Sequence, residues 1–136
     1  MMSIRQILKS IYDAVDGICG RTFLQERPKS VIESLSDYIV VRVVSSISNK
    51  EIDQTGSYDY FDTTIQIEVY VKDRINASNP NQININTLDE KVSQVLALFP
   101  IKDEYVHAMR PVVTLTMSDG NGFHCSIIQA RLTTLV

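Results

Sequence analysis

His124 and Cys125 are the two neighbouring side chains best suited to chemistry, since imidazole and thiol serve as metal ligands or as a base and nucleophile pair. Adjacent residues on a strand point to opposite faces, so these two cannot grip one ion or one substrate without distortion. Adding Cys19 and His107 produces no spacing known for zinc. The thiols read as buried small hydrophobes and His124 as a hydrogen-bonded or solvated side chain. Glu51, Asp53, Asp59 and Asp62 gather acids in one segment with Gly56, but no Glu closes it as a calcium loop requires. A solvated face is the simpler reading. Gly120 and Gly122 form a GxG inside a turn, where positive φ is reason enough for glycine. There is no GxGxxG, P-loop, HExxH or GxSxG. The expectation is a protein that is not an enzyme and holds no metal and no cofactor.

Composition narrows the classes further. The 136 residues are 44% hydrophobic and 21% charged, as expected of one globular domain spanning residues 1–136. The net charge of -3, with 13 Lys and Arg scattered along the chain, argues against a nucleic-acid binder. No apolar run approaches the roughly 18 residues of a membrane span. Arg5, Lys9, Asp13 and Asp16 interrupt the first apolar stretch, so a signal peptide is not expected. Two cysteines without CxxC spacing read as free thiols in a reducing compartment.

The elements that must position any site follow from periodicity. Ile4, Ile7, Leu8, Ile11, Tyr12 and Val15 line one face of a helix over 3–16, with Ser3 as N-cap and Gly17 or Gly20 as the stop. Residues 18–37 are irregular, with a helical turn at Ser30–Glu33. Tyr38–Ile47 reads as a strand inside a sheet, apolar on both faces except for Arg42. A long polar connection from Ser48 to Tyr60 leads to the clearest strand, Thr63–Arg74. There Ile65, Ile67, Val69 and Val71 share one face, while Gln66, Glu68, Tyr70 and Lys72 share the other. After an Asn-rich stretch, Thr87 and Glu90 form a capping box, Leu88, Val92, Val95, Leu96 and Phe99 line the second helix, and Pro100 ends it. Residues 101–111 are undecided between strand and turn. Val112–Met117 and Phe123–Leu135 make a hairpin around SDGNG, with a bulge or a change of face at Ile127–Ile128.

The order α-β-β-α-β-β predicts an α+β fold: a mainly antiparallel four-stranded sheet with both helices on one face. The polar face of Gln66, Glu68, Tyr70 and Lys72 is then free to meet a partner. Charge reversal of Glu68 together with Lys72 should leave folding intact and weaken self-association. Tyr58, Tyr60 and Phe61 in the long connection, and Asp119 to Gly122 at the hairpin tip, are further contact candidates, Asp119 and Asn121 among them.

Taken together, IRQILKSIYDAV, YIVVRVVSS, DYFDTTIQIEVYVKD, NTLDEKVSQVLALF and RPVVTLTMSDGNGFHCSIIQARLTTL resemble the tail-terminator or tail-completion proteins of long-tailed bacteriophages, and the related minor tail and head–tail joining proteins. The likeness covers nearly the whole chain as an order and length of elements. It implies a structural virion protein that forms a ring, commonly a hexamer, on the head-proximal end of the tail. Its partners would be other copies of itself, the tail tube protein and the head-completion or connector protein. DNA would only pass through the lumen, no membrane would be involved, and assembly would take place in the bacterial host cytoplasm. Two other classes stay open: an intracellular α+β binding module using its exposed sheet face, and a small ligand-binding or enzymatic domain with a pocket between helices and sheet.

Overall fold

The computed structural model describes residues 4–26, 35–44, 48–49, 61–74 and 83–134. Its elements, in chain order, are α1 (Ile4–Val15), β1 (Thr22–Leu24), β2 (Asp37–Val43), β3 (Ser48–Asn49), β4 (Phe61–Lys72), α2 (Ile85–Leu96), β5 (Ile101–Lys102), β6 (Val106–Ser118) and β7 (Phe123–Thr134).

These strands form one curled, mixed sheet of seven strands among the described residues, in the order β1-β2-β4-β7-β6-β5, with β3 beside the start of β4. The expected four-stranded antiparallel sheet is therefore wrong. Three short strands were invisible to periodicity, which needs at least four residues to show alternation. β1 is three residues long and runs parallel to β2; every other pairing among the described strands is antiparallel. β3 occupies the beginning of the segment expected to be a connection, and β5 and the first part of β6 resolve the undecided stretch 101–111.

The helices pack on one face. Ile7, Leu8, Ile11 and Val15 of α1 and Leu88, Val92 and Val95 of α2 meet Ile39, Val41, Ile65, Ile67, Val69, Val71, Ile128, Ala130 and Leu132 in a single core. The i, i+3, i+4 stripe drives this packing. Ile4, at the head of the stripe, stays exposed. Gly17, at φ +91°, supplies the left-handed residue that ends α1. α2 starts earlier than its capping box: Ile85 is already helical and the N-cap is Asn84, with no side-chain cap bond. Thr87 thus lies in the first turn. Among the described residues, no helix is long and apolar enough to cross a membrane.

The opposite face is also covered in part. Phe23, Tyr38, Val40, Tyr70, Phe123 and Cys125 form a second apolar cluster there, with Leu35 and Ile127 against it. β7 consequently alternates without interruption: Phe123, Cys125 and Ile127 serve the second face, Ile128, Ala130 and Leu132 the first. The irregularity expected at Ile127–Ile128 lies on the facing strand, where β6 carries one extra residue between Val113, opposite Ile128, and Leu115, opposite Ile127.

Candidate functional site

Strand register sets side chains of β2, β4 and β7 in rows across the second face. Tyr38, Tyr70 and Cys125 make one row, Val40, Glu68 and Ile127 the next, and Arg42, Gln66 and Gln129 the third. The first row belongs to the aromatic cluster, in which Tyr38 stacks on Tyr70 with ring centres 4.5 Å apart. Phe23 and Phe123 meet Tyr38 edge-on at 5.9 and 5.2 Å. The other two rows turn polar. The Glu68 carboxylate accepts from the Tyr70 hydroxyl at 2.7 Å on one oxygen. Its other oxygen accepts from Arg42 Nε at 2.7 Å and Gln66 Nε2 at 2.6 Å. Gln129 donates in turn to Gln66 at 2.8 Å. The Arg42 guanidinium also donates to the Gln25 carbonyl, and the Gln25 side chain accepts from the Val43 backbone at 2.8 Å.

This network changes the role of the expected contact face. Glu68 is only 5% exposed and Tyr70 is buried, so both serve the interior; Gln66 is half-buried, and Lys72, at the end of β4, is exposed. A buried carboxylate is tolerated when a cation and hydrogen bonds compensate it, and Arg42 with its neighbours does so. Burial, and then the bond to Glu68, push the Tyr70 hydroxyl well above the ordinary tyrosine range. At the far end of the same face, Arg131 donates to Asp62 at 2.6 and 3.0 Å and Thr133 donates to it at 2.7 Å. Asp62, expected in a solvated acidic cluster, is instead buried. Glu51, Asp53, Tyr58, Asp59 and Tyr60 lie outside the described residues, and so does the helical turn at Ser30–Glu33.

At the hairpin tip, Asp119 builds the turn. Its Oδ1 accepts from the backbone of Asn121 at 2.7 Å and of Phe123 at 3.1 Å, while Gly120 and Gly122 adopt φ of +79° and +88°. Asn121 is exposed. Below the tip, His124 Nδ1 lies 2.5 Å from the buried Asp73 carboxylate, and the Asp73 backbone N–H donates to the Gly122 carbonyl at 2.8 Å. His124 and Cys125 are thus divided between the two faces. Cys19 is buried beside Asp37 and Lys91; burial first, then the Asp37 charge, push its thiol up to about 12. Such a thiol is a poor nucleophile. Among the described residues, no group of three or more His, Cys, Asp or Glu is placed to hold a metal ion.

The surface that sequence reasoning missed is on β6. β5 flanks only His107 and Ala108, and from Pro111 to Ser118 no described strand pairs with the outer edge of β6. Along this edge Val112 is 61% exposed, and Val113 and Met117 are exposed as well. At the other side of the sheet, Leu24 and Val44 are exposed. The run PVVTLTM reads as an ordinary core strand; only the length of β5 shows that, among the described residues, part of it has no partner on its outer side. Set against protein-family models and curated proteins, the chain matches none of either.

Proposed function

We propose that this chain is a structural protein of a long-tailed bacteriophage particle, a subunit that assembles into a ring on the tail tube, ends its growth and joins it to the head connector. One observation supports the assembly half of this reading. The outer edge of β6 presents Val112, Val113 and Met117 to solvent beside backbone that no described strand pairs. Exposed apolar side chains beside an open sheet edge mark a place for another chain. The resemblance of the sequence stretches to those of tail-terminator and tail-completion proteins supplies the specific assignment. In this role the exposed Lys72 and Asn121 at the hairpin end remain available to a tube or connector, whereas Glu68 and Tyr70 hold the sheet together.

Native mass by light scattering across a range of protein concentrations, with negative-stain microscopy of the same samples, tests the reading. A closed ring of six or a similar number of copies, binding isolated tail tubes at one end, is the expected result. A chain that stays monomeric at every concentration and binds no tube would overturn it.

A further inference from the structure

The ring reading requires a head-to-tail contact between unlike surfaces, and the sheet carries two such surfaces at its opposite sides. One is the stretch of β6 whose outer side no described strand pairs, with Val112, Val113 and Met117 and, just before them, the exposed Arg110. The other is the β1 side, with exposed Leu24 and Val44 and, two residues after Leu24, the exposed Glu26. Resting on that reading, we propose that the β6 edge of one copy seats on the β1–β2 edge of the next copy of this chain.

Register makes the fit specific. Leu24 pairs with Val41, Val41 with Ile67, Ile67 with Ile128, and Ile128 with Val113. Leu24 and Val113 therefore end the same row of the sheet. A copy added side to side in that row is related to its neighbour by rotation without a rise along the strands, the condition for a ring to close and not wind into a filament. Directions agree too. β1 runs with β2, and the three antiparallel steps through β4 and β7 leave β6 running against β1. In an antiparallel approach that sets Leu24 against Val113, Glu26 comes opposite Pro111, next to Arg110, so the charges beside the exposed apolar side chains of the two edges are opposite in sign. Pro111 has no N–H to donate, and register breaks interrupt β6 between Ala108 and Pro111 and between Val113 and Leu115. A long continuous ladder across the contact is thereby prevented, and side chains carry it, the pattern by which sheets avoid indiscriminate edge pairing.

The test uses the full chain with Val112→Glu and Leu24→Glu, both at exposed positions, and thermal melts to show that each variant folds. Where the wild type assembles, each variant alone should remain monomeric. An equimolar mixture should form a heterodimer and nothing larger, because one intact β6 edge and one intact β1 edge survive between the two chains. Arg110→Glu should weaken assembly about tenfold, and combining it with Glu26→Arg should restore it. A wild type that assembles while the Leu24→Glu variant assembles equally well, or a mixture that yields no heterodimer, overturns this contact alone. A wild type that assembles neither in solution nor on isolated tail tubes overturns the ring reading, and the contact with it.

Discussion

At residue scale the informative position is Glu68. Charge alone places it on a solvated face, and its reversal would then leave the fold intact. Its carboxylate instead takes donors from Tyr70, Arg42 and Gln66 within 2.7 Å, so Glu68→Lys should remove the acceptor that the three share and set a second cation beside Arg42. Breaking a buried pair from one side costs about 3–5 kcal/mol. Urea unfolding of that variant measures it, and a midpoint equal to the wild type would show that the network contributes nothing. Cys19 and Tyr70 give a second prediction. Both have their proton-bearing form favoured by the fold, from ordinary values of 9.0 and 10.0 upward. The folded chain then holds more protons than the unfolded one in this range, so stability falls as pH rises. The Cys19 contribution is complete below about pH 9 and lost progressively toward about 12. Unfolding midpoints between pH 8 and 11 should decline for the wild type and decline less for Cys19→Ala; equal slopes would contradict the burial of the thiol.

At the scale of elements, Ile67 is fully buried between the helices and the sheet. Ile67→Ala should cost about 2–5 kcal/mol by loss of transfer energy and a residual cavity. An unchanged thermal melt would mean that β4 faces the other way. This face was legible in the sequence because Ile65, Ile67, Val69 and Val71 alternate strictly, and the helical stripes were legible for the same reason. The second face was not, because its cover is assembled from distant pieces: Phe23 on a three-residue strand, Tyr38, and Phe123 beyond the hairpin turn. Nor does composition distinguish a polar side chain facing water from one such as Glu68 whose partner Arg42 lies 26 residues away. The start of α2 slipped because Thr87 and Glu90 fit a capping box that the chain does not use; Asn84, three residues earlier, accepts the backbone N–H of Leu88 and opens the helix.

For the whole molecule, a sheet closed on one side by helices leaves its edges to be dealt with. β5 covers one end of β6 and β3 lies beside the start of β4, but neither reaches the stretch from Pro111 to Ser118. Because the exposed side chains there lie outside both apolar clusters, assembly and folding should be separable. The melting temperature of Val112→Glu should match the wild type at concentrations where both are monomeric. A drop of more than a few degrees would show that Val112 is part of the fold.

The stacked pair Tyr38 and Tyr70 gives the molecule an internal optical gauge. The chain has six tyrosines and no tryptophan, so its near-ultraviolet circular dichroism comes chiefly from tyrosine, and two parallel rings 4.5 Å apart in a rigid setting should couple strongly. That band reports the aromatic half of the second face, while the far-ultraviolet signal reports helices and sheet as a whole. If the curled sheet opens before the helices release it, the first signal will vanish while the second persists, and the order of events in unfolding becomes readable without a single added label.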